Sequence, residues 1–220
     1  YNEIRASFLT KIRKMSLELS DCYCETITKK LGENKFAEYK DVIYQYCHNH
    51  KCERPELVTS FEDLIDKHIQ KNNYNVYYCK NIFKSNILKY ITADDIPLLL
   101  EINGNFFEKI YINCEEDGAW TFIHRGMKHK PYYPECDNFA ENIFIEKNLM
   151  NSYSFSISLP ESFAGHHQRG LNIPVMIGSI AEECTSRVIS FPMLFNDFKE
   201  FHYDSFEVIL IPPLVTTNIY

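Results

Sequence analysis

The stretch Asp204–Pro213, DSFEVILIPP, decides how the second half of the chain is read. Phe206, Val208, Ile209, Leu210 and Ile211 crowd together, and two prolines close the run. A short, β-branched apolar run that ends at proline reads as a buried strand. Alternate residues of a strand share a face. Ser205, Glu207, Ile209 and Ile211 then form one face, and Phe206, Val208 and Leu210 the other. Glu207 is the ionisable residue inside this run. By itself it is either a charge facing solvent at a strand start or a carboxylate aimed into a cleft.

Similar short runs precede it. AWTFIHRG, SYSFSISL, IPVMIGSI and SRVISFP are rich in β-branched and aromatic residues and are separated by turn residues. They begin after about Asp117. Before that point the periodicity is helical. Ile4, Phe8, Ile12, Met15 and Leu19 recur at three- and four-residue spacing. A short second helix is expected over about Cys24–Lys30, stopped at Gly32. A third is marked by Phe36, Ile43 and Tyr46. Thr59-Ser60-Phe61-Glu62 reads as a capping box that opens a helix with Leu64, Ile65 and Ile69 inward, broken by KNNYN from Lys71. TADDIPLLLEING reads as a further helix capped by Thr92, with Gly104 past its end. Helices followed by strands predict an α+β fold with a mixed or antiparallel sheet. The organisation expected is a single domain over 1–220, with a mainly helical lobe at 1–115 and a β-rich core at 116–220.

A chain of 220 residues buries about 70% of its unfolded surface. Its 45% hydrophobic and 15% aromatic content indicates a packed core, not disorder. The net charge of -7 and the lack of a basic run argue against a nucleic-acid partner. Apolar runs such as Ile96–Leu100 and Val208–Ile211 are far too short for a membrane span.

Eight scattered cysteines, even in number, suggest disulfides and an oxidising compartment. With Tyr1 in place of an initiator Met, they give the expectation of a secreted protein. No N-x-S/T sequon adds support. YCHNHKC, Tyr46–Cys52, packs two thiols and two imidazoles together, but its spacing is too tight for the two-arm zinc module. Disulfide cysteines beside surface histidines are favoured there, and no metal is expected.

Two further strands carry candidate polar groups. In SYSFSISL, Ser152, Ser154, Ser156 and Ser158 share one face, which is a row of hydroxyls or the wet side of an edge strand. In TFIHRGM, Arg125 ends a strand and Gly126 follows. The guanidinium fork suits a phosphate, and the glycine suits a tight turn or the close approach of a ligand. The aromatic segment from Phe191 to Asp204 reads as a loop. Its Phe195, Phe198, Phe201 and Tyr203 either contact a protein or cap the core. GHHQRG from Gly165 reads as a loop without a chemical role.

The order of these features, Arg-Gly, then a serine strand, then Glu before VILIPP, resembles the arginine–serine–glutamate class of ADP-ribosyltransferases. YITADDIPLLLEING from Tyr90 looks like that family's helix before the arginine strand. HRGM at His124 looks like the arginine strand, FSISLPESFA at Phe155 like the serine strand, and VISFPMLFNDFKEFHYDSFEVILIPP like the last loop and glutamate strand. The resemblance covers about Tyr90–Tyr220. It implies an enzyme that uses NAD as substrate. Arg125 and Gly126 would hold the dinucleotide with Ser156 and Ser158, and Ser156 would also orient the catalytic carboxylate, Glu207. Ser205, Phe201 and Tyr203 would face the acceptor. Two positions depart from the family pattern. Ile157 stands in the middle of the serine motif, where threonine is usual. Ser205 stands where the family has Glu or Gln, which removes the charge an arginine acceptor would meet. The implied activity is mono-ADP-ribosyl transfer to a protein. The alternatives are NAD hydrolysis, or a catalytically silent secreted binding protein of the same fold.

Overall fold

A computed structural model describes residues 2–48, 54–71, 74–75, 86–114, 121–129, 149–158, 160–161, 173–198, 205–212 and 215–216. The helical part consists of α1 (Asn2–Leu31), α2 (Glu33–Cys47), α3 (Pro55–Lys71) and α4 (Ile96–Cys114). After β1 (Tyr74–Asn75), the β-rich part contains β2 (Phe122–His129), β3 (Asn151–Ser154) and β4 (Ile173–Ile180). Then come the short helix α5 (Ala181–Cys184), β5 (Val188–Ser190), β6 (Glu207–Leu210) and β7 (Val215–Thr216). The expected α+β class, helices first and strands second, is what the chain adopts. Five strands form one sheet in the order β4-β2-β3-β6-β5, and each neighbouring pair is antiparallel. β1 and β7 pair separately. Among the described residues no helix is long and apolar enough to cross a membrane.

Three helix boundaries differ from expectation. First, α1 is one continuous helix and absorbs the short helix expected at Cys24–Lys30. Its buried stripe, Ile12, Ser16, Ser20, Tyr23 and Ile27, includes two serines. Ser16 Oγ donates to the Ile12 carbonyl (2.8 Å) and Ser20 Oγ to that of Leu17 (2.9 Å), so both hydroxyls are satisfied inside the helix. Gly32, at φ 89°, does end it. Second, α3 starts at Pro55, so Thr59 lies within the helix and donates to the Pro55 carbonyl at 3.2 Å. Leu64, Ile65 and Ile69 are buried as expected, and α3 stops at Lys71. Third, α4 runs through Gly104. A Cβ there would lie 2.7 Å from the Thr185 carbonyl oxygen. The glycine therefore lets the turn after α5 approach the helix. The Thr92 cap is present: the Asp95 carboxylate accepts from the Thr92 N–H and hydroxyl, both at 2.9 Å.

The two parts share an apolar core. Ile12, Tyr23, Tyr39, Phe61 and Phe107 of the helices join Ile123, Phe191, Val208 and Leu210 of the β-rich part. At its centre lies Asn103 of α4. Its Oδ1 accepts from Tyr23 Oη (2.8 Å), and its Nδ2 donates to the Ile189 carbonyl of β5 (3.0 Å). The Glu38 carboxylate of α2 accepts the N–H groups of Lys89, Tyr90 and Ile91 at 2.7–2.9 Å, which fixes the approach to α4.

Candidate functional site

Glu207 opens β6, between β3 and β5. The residue before it, buried Phe206, has φ 47°, a conformation that non-glycine residues rarely adopt. The Arg13 guanidinium carbon lies 5.3 Å from its ring centre, and the Phe155 N–H donates to its carbonyl at 3.3 Å. This bend delivers the chain into β6 with Glu207 opposite Ser154 of β3. Directly opposed residues of an antiparallel pair share a face. Ser154 is in turn opposite His124 of β2. Glu207, Ser154, Ser152 and His124 thus lie on one side of the sheet, while Val208, Tyr153 and Arg125 lie on the other.

The Glu207 carboxylate does not point into bulk water. Ser152 Oγ donates a short hydrogen bond to its Oε1. The Cys47 thiol, at the end of α2, lies close enough that the two groups shift each other's titration. Tyr46 hydroxyl meets Ser152 Oγ at 3.0 Å and donates to the Met150 carbonyl at 3.2 Å. Burial raises the Glu207 carboxyl above the ordinary carboxylate range, against the Ser152 hydroxyl and the Cys47 thiol. It is these two groups, and not Arg125, that oppose the effect of burial. Burial also lifts the Cys47 thiol and the Tyr46 phenol, and the Glu207 charge adds to both. The Arg125 charge lowers Tyr46 in turn, so the phenol feels both groups.

This burial has a consequence for stability. A carboxyl that holds its proton more tightly when folded contributes stability below the ordinary glutamate range. That contribution is lost as pH rises through the raised folded value. Glu207→Gln, which stays neutral, is therefore expected to unfold at a higher temperature than the parent at neutral pH. The gap should close at acid pH. Thermal unfolding across that range checks it, and a Gln variant weaker than the parent at neutral pH contradicts it.

The other expected site residues are placed as follows. The serine row is shorter than its alternation implied, because β3 ends at Ser154. The Glu161 N–H donates to the Ile157 carbonyl at 2.9 Å, which is a helical turn, and alternation needs extended backbone. Ser156 and Ser158 therefore leave the strand. Their hydroxyls bond each other at 2.8 Å, and the Ser156 N–H donates to Ser154 Oγ at 2.9 Å. The hydroxyl that reaches Glu207 is that of Ser152, in place of Ser156. Arg125 does not end its strand, since β2 continues to His129. Its guanidinium carbon lies 5.7 Å from the Tyr153 ring centre. Gly126 accommodates the chain itself, not a turn: a Cβ there would fall 1.8 Å from the Pro160 carbonyl oxygen. Ser205 lies in a turn, and its carbonyl accepts from Ser154 Oγ. Phe195 and Phe198 are buried in the core, so the capping reading holds for these two rings. Phe201 and Tyr203 lie outside the described residues.

Cys22, Cys24, Cys47, Cys114 and Cys184 are free thiols in the structure. Cys52, Cys79 and Cys136, with His50, lie outside the described residues, so the expected pairing concerns positions that are not all in view. A recess of about 580 Å³ lies along β4 and α5, lined by Phe122, Ile180, Glu183, Cys184 and Arg187, and includes none of the residues around Glu207.

Residue-by-residue reading missed Tyr46 and Cys47 as neighbours of the carboxylate. Both had been singled out, one as a helix marker and the other as a disulfide or metal candidate. No signal in the sequence joins them to a strand that lies 160 residues further on. No family model, curated protein or solved structure matches the chain.

Proposed function

We propose that the chain is an NAD-consuming enzyme, a mono-ADP-ribosyltransferase with Glu207 as its catalytic carboxylate. One observation carries this reading. Arg125 and Glu207 lie on β2 and β6, on either side of β3, whose Ser152 stands beside the carboxylate where the resemblance puts Ser156. His124, beside Arg125, is opposite Ser154, and Ser154 is opposite Glu207. Two strand spacings, about 10 Å, separate the outer pair at the backbone.

The chemistry calls for such an arrangement. Cleavage of the nicotinamide–ribose bond sends the bonding pair to the leaving ring, which departs neutral, and leaves oxocarbenium character on the ribose. A fixed carboxylate in a site of low polarity stabilises that charge as it appears. Glu207, held by Ser152, is preorganised to do so. An acceptor then attacks the ribose carbon and loses its proton. Arg125 lies on the opposite face of the sheet, so this reading rests on Glu207 and gives the guanidinium no direct hold on a dinucleotide at the carboxylate. Positioning supplies the rest of the rate.

A second reading, NAD hydrolysis, is favoured by Ser205. It offers a hydroxyl but no charge for a guanidinium acceptor, and its carbonyl is engaged by Ser154. Free nicotinamide released from NAD, measured with and without agmatine and with candidate proteins, separates the two. Acceleration by an acceptor supports transfer, and release at one rate throughout supports hydrolysis. If folded protein releases no nicotinamide, both fall and a binding role replaces them. The even cysteine count supports a secreted enzyme, although five of the eight thiols are free in the structure.

A further inference from the structure

Resting on the assignment of Glu207 above, we propose that the last turn of α2 belongs to the site, with Tyr46 and Cys47 as positioning residues for the carboxylate. Cys47, the next residue on the same turn of α2, has its thiol near enough to the carboxylate for the two to shift each other's titration. Tyr46 acts through Ser152, whose hydroxyl lies 3.0 Å from the phenol and donates onward to Glu207. The Tyr46 proton is shared between Ser152 Oγ and the Met150 carbonyl, 3.2 Å away at the approach to β3. This chain of contacts approaches the carboxylate from two elements, α2 and β3, and leaves its orientation little freedom.

The turn that carries the two residues is itself anchored. The His48 N–H and Nδ1 both meet the Tyr44 carbonyl, at 3.1 and 2.8 Å, and the His48 ring stacks on Tyr44. Gln45 Oε1 accepts the Arg54 N–H at 3.2 Å, and Arg54 Nη1 reaches Asp41 at 2.9 Å. The helix end is thereby tied to the start of α3. A second-site residue can fix a catalytic group only if it is itself fixed, and these contacts meet that condition. The helical lobe is on this account a working part of the site.

The groups facing the carboxylate are the Tyr46 phenol and Cys47 thiol from α2 and the Ser152 hydroxyl from β3. The Arg125 charge on β2 reaches the phenol. A donor to the charged form favours it, so removing one moves the carboxyl further up. The test uses the full chain with glutamate carboxyls labelled with carbon-13, the Glu207 signal being the one absent from Glu207→Gln. In Cys47→Ala and Tyr46→Phe the Glu207 titration midpoint is expected to move up. Cys47→Ser, which keeps a donor, should return it toward the parent. The same two losses should lower kcat for nicotinamide release by roughly 10- to 100-fold, as misplaced catalytic groups do, with KM for NAD little changed. Midpoints in Tyr46→Phe and Cys47→Ala that superpose on the parent's overturn the inference, whatever the activity. If the midpoints move but the parent releases no nicotinamide, the hold from α2 stands and the NAD assignment alone falls.

Discussion

Glu207→Gln is expected to lower nicotinamide release from NAD by roughly 100- to 1000-fold, the loss typical of one preorganised electrostatic partner. The substitution keeps the length of the side chain and an oxygen for the Ser152 hydroxyl, so the ground-state geometry of β6 is preserved. It removes only the charge. That charge matters little to a bound dinucleotide and much to an oxocarbenium-like ribose, so the effect belongs in kcat. The same variant is expected to gain stability at neutral pH, because it relieves a buried carboxylate. An active-site residue often costs stability where it serves function. Loss of rate together with a gain in unfolding temperature is the paired signature of a carboxylate retained for chemistry. Release that continues at the parent rate removes Glu207 from the mechanism. Glu207→Asp keeps the charge but retracts it by one methylene, away from Ser152 and Cys47. It should fall between the parent and the Gln variant, which separates the need for charge from the need for position.

Features set by neighbouring residues were legible. The Thr92 cap, the break at Lys71, the stop at Gly32 and the strand that starts near Glu207 each depend on a few adjacent positions. Features set by distant partners were not. Gly104 reads locally as a helix end, and only the Thr185 carbonyl explains why a glycine sits within α4. Gly126 reads as room for a ligand, yet Pro160 takes that room. The four-serine row followed the letters through Ser158, whereas β3 ends at Ser154 and the Glu161 N–H then closes a helical turn on the Ile157 carbonyl. The candidate site shows the same division. Glu207 and Arg125 could be picked from their strands. Their placement on opposite faces depends on register, which alternation within one strand cannot supply. Tyr46 and Cys47 reach Glu207 only because α2 packs over the sheet.

Asn103→Leu is expected to destabilise the fold by about 2–4 kcal/mol, the cost of several buried hydrogen bonds lost at once. Leucine has the branched skeleton of asparagine but is larger, so the loss comes from polar groups and some overpacking and not from a cavity. Asn103 Nδ2 donates to the Leu99 carbonyl (2.8 Å), the Ile189 carbonyl (3.0 Å) and Tyr39 Oη (3.2 Å), while Oδ1 accepts from Tyr23 Oη (2.8 Å). Tyr39 keeps its own acceptor, the Ile189 carbonyl at 2.7 Å. The Tyr23 hydroxyl donates to Asn103, and burial holds its proton firmly by pushing its pKa well up. The hydroxyl therefore loses its amide acceptor and keeps its hydroxyl neighbours, Tyr39 and Ser190. For a chain of this length each kcal/mol lowers the unfolding midpoint by about 2–4 °C. A double-mutant cycle identifies the cause. Tyr23→Phe should cost more stability in the parent than once Asn103 is leucine, because the Tyr23–Asn103 hydrogen bond is then already gone. Equal costs in both backgrounds would show that the two residues act independently, and the network joining α1, α2, α4 and β5 would then lose its claim to hold the helical lobe on the sheet.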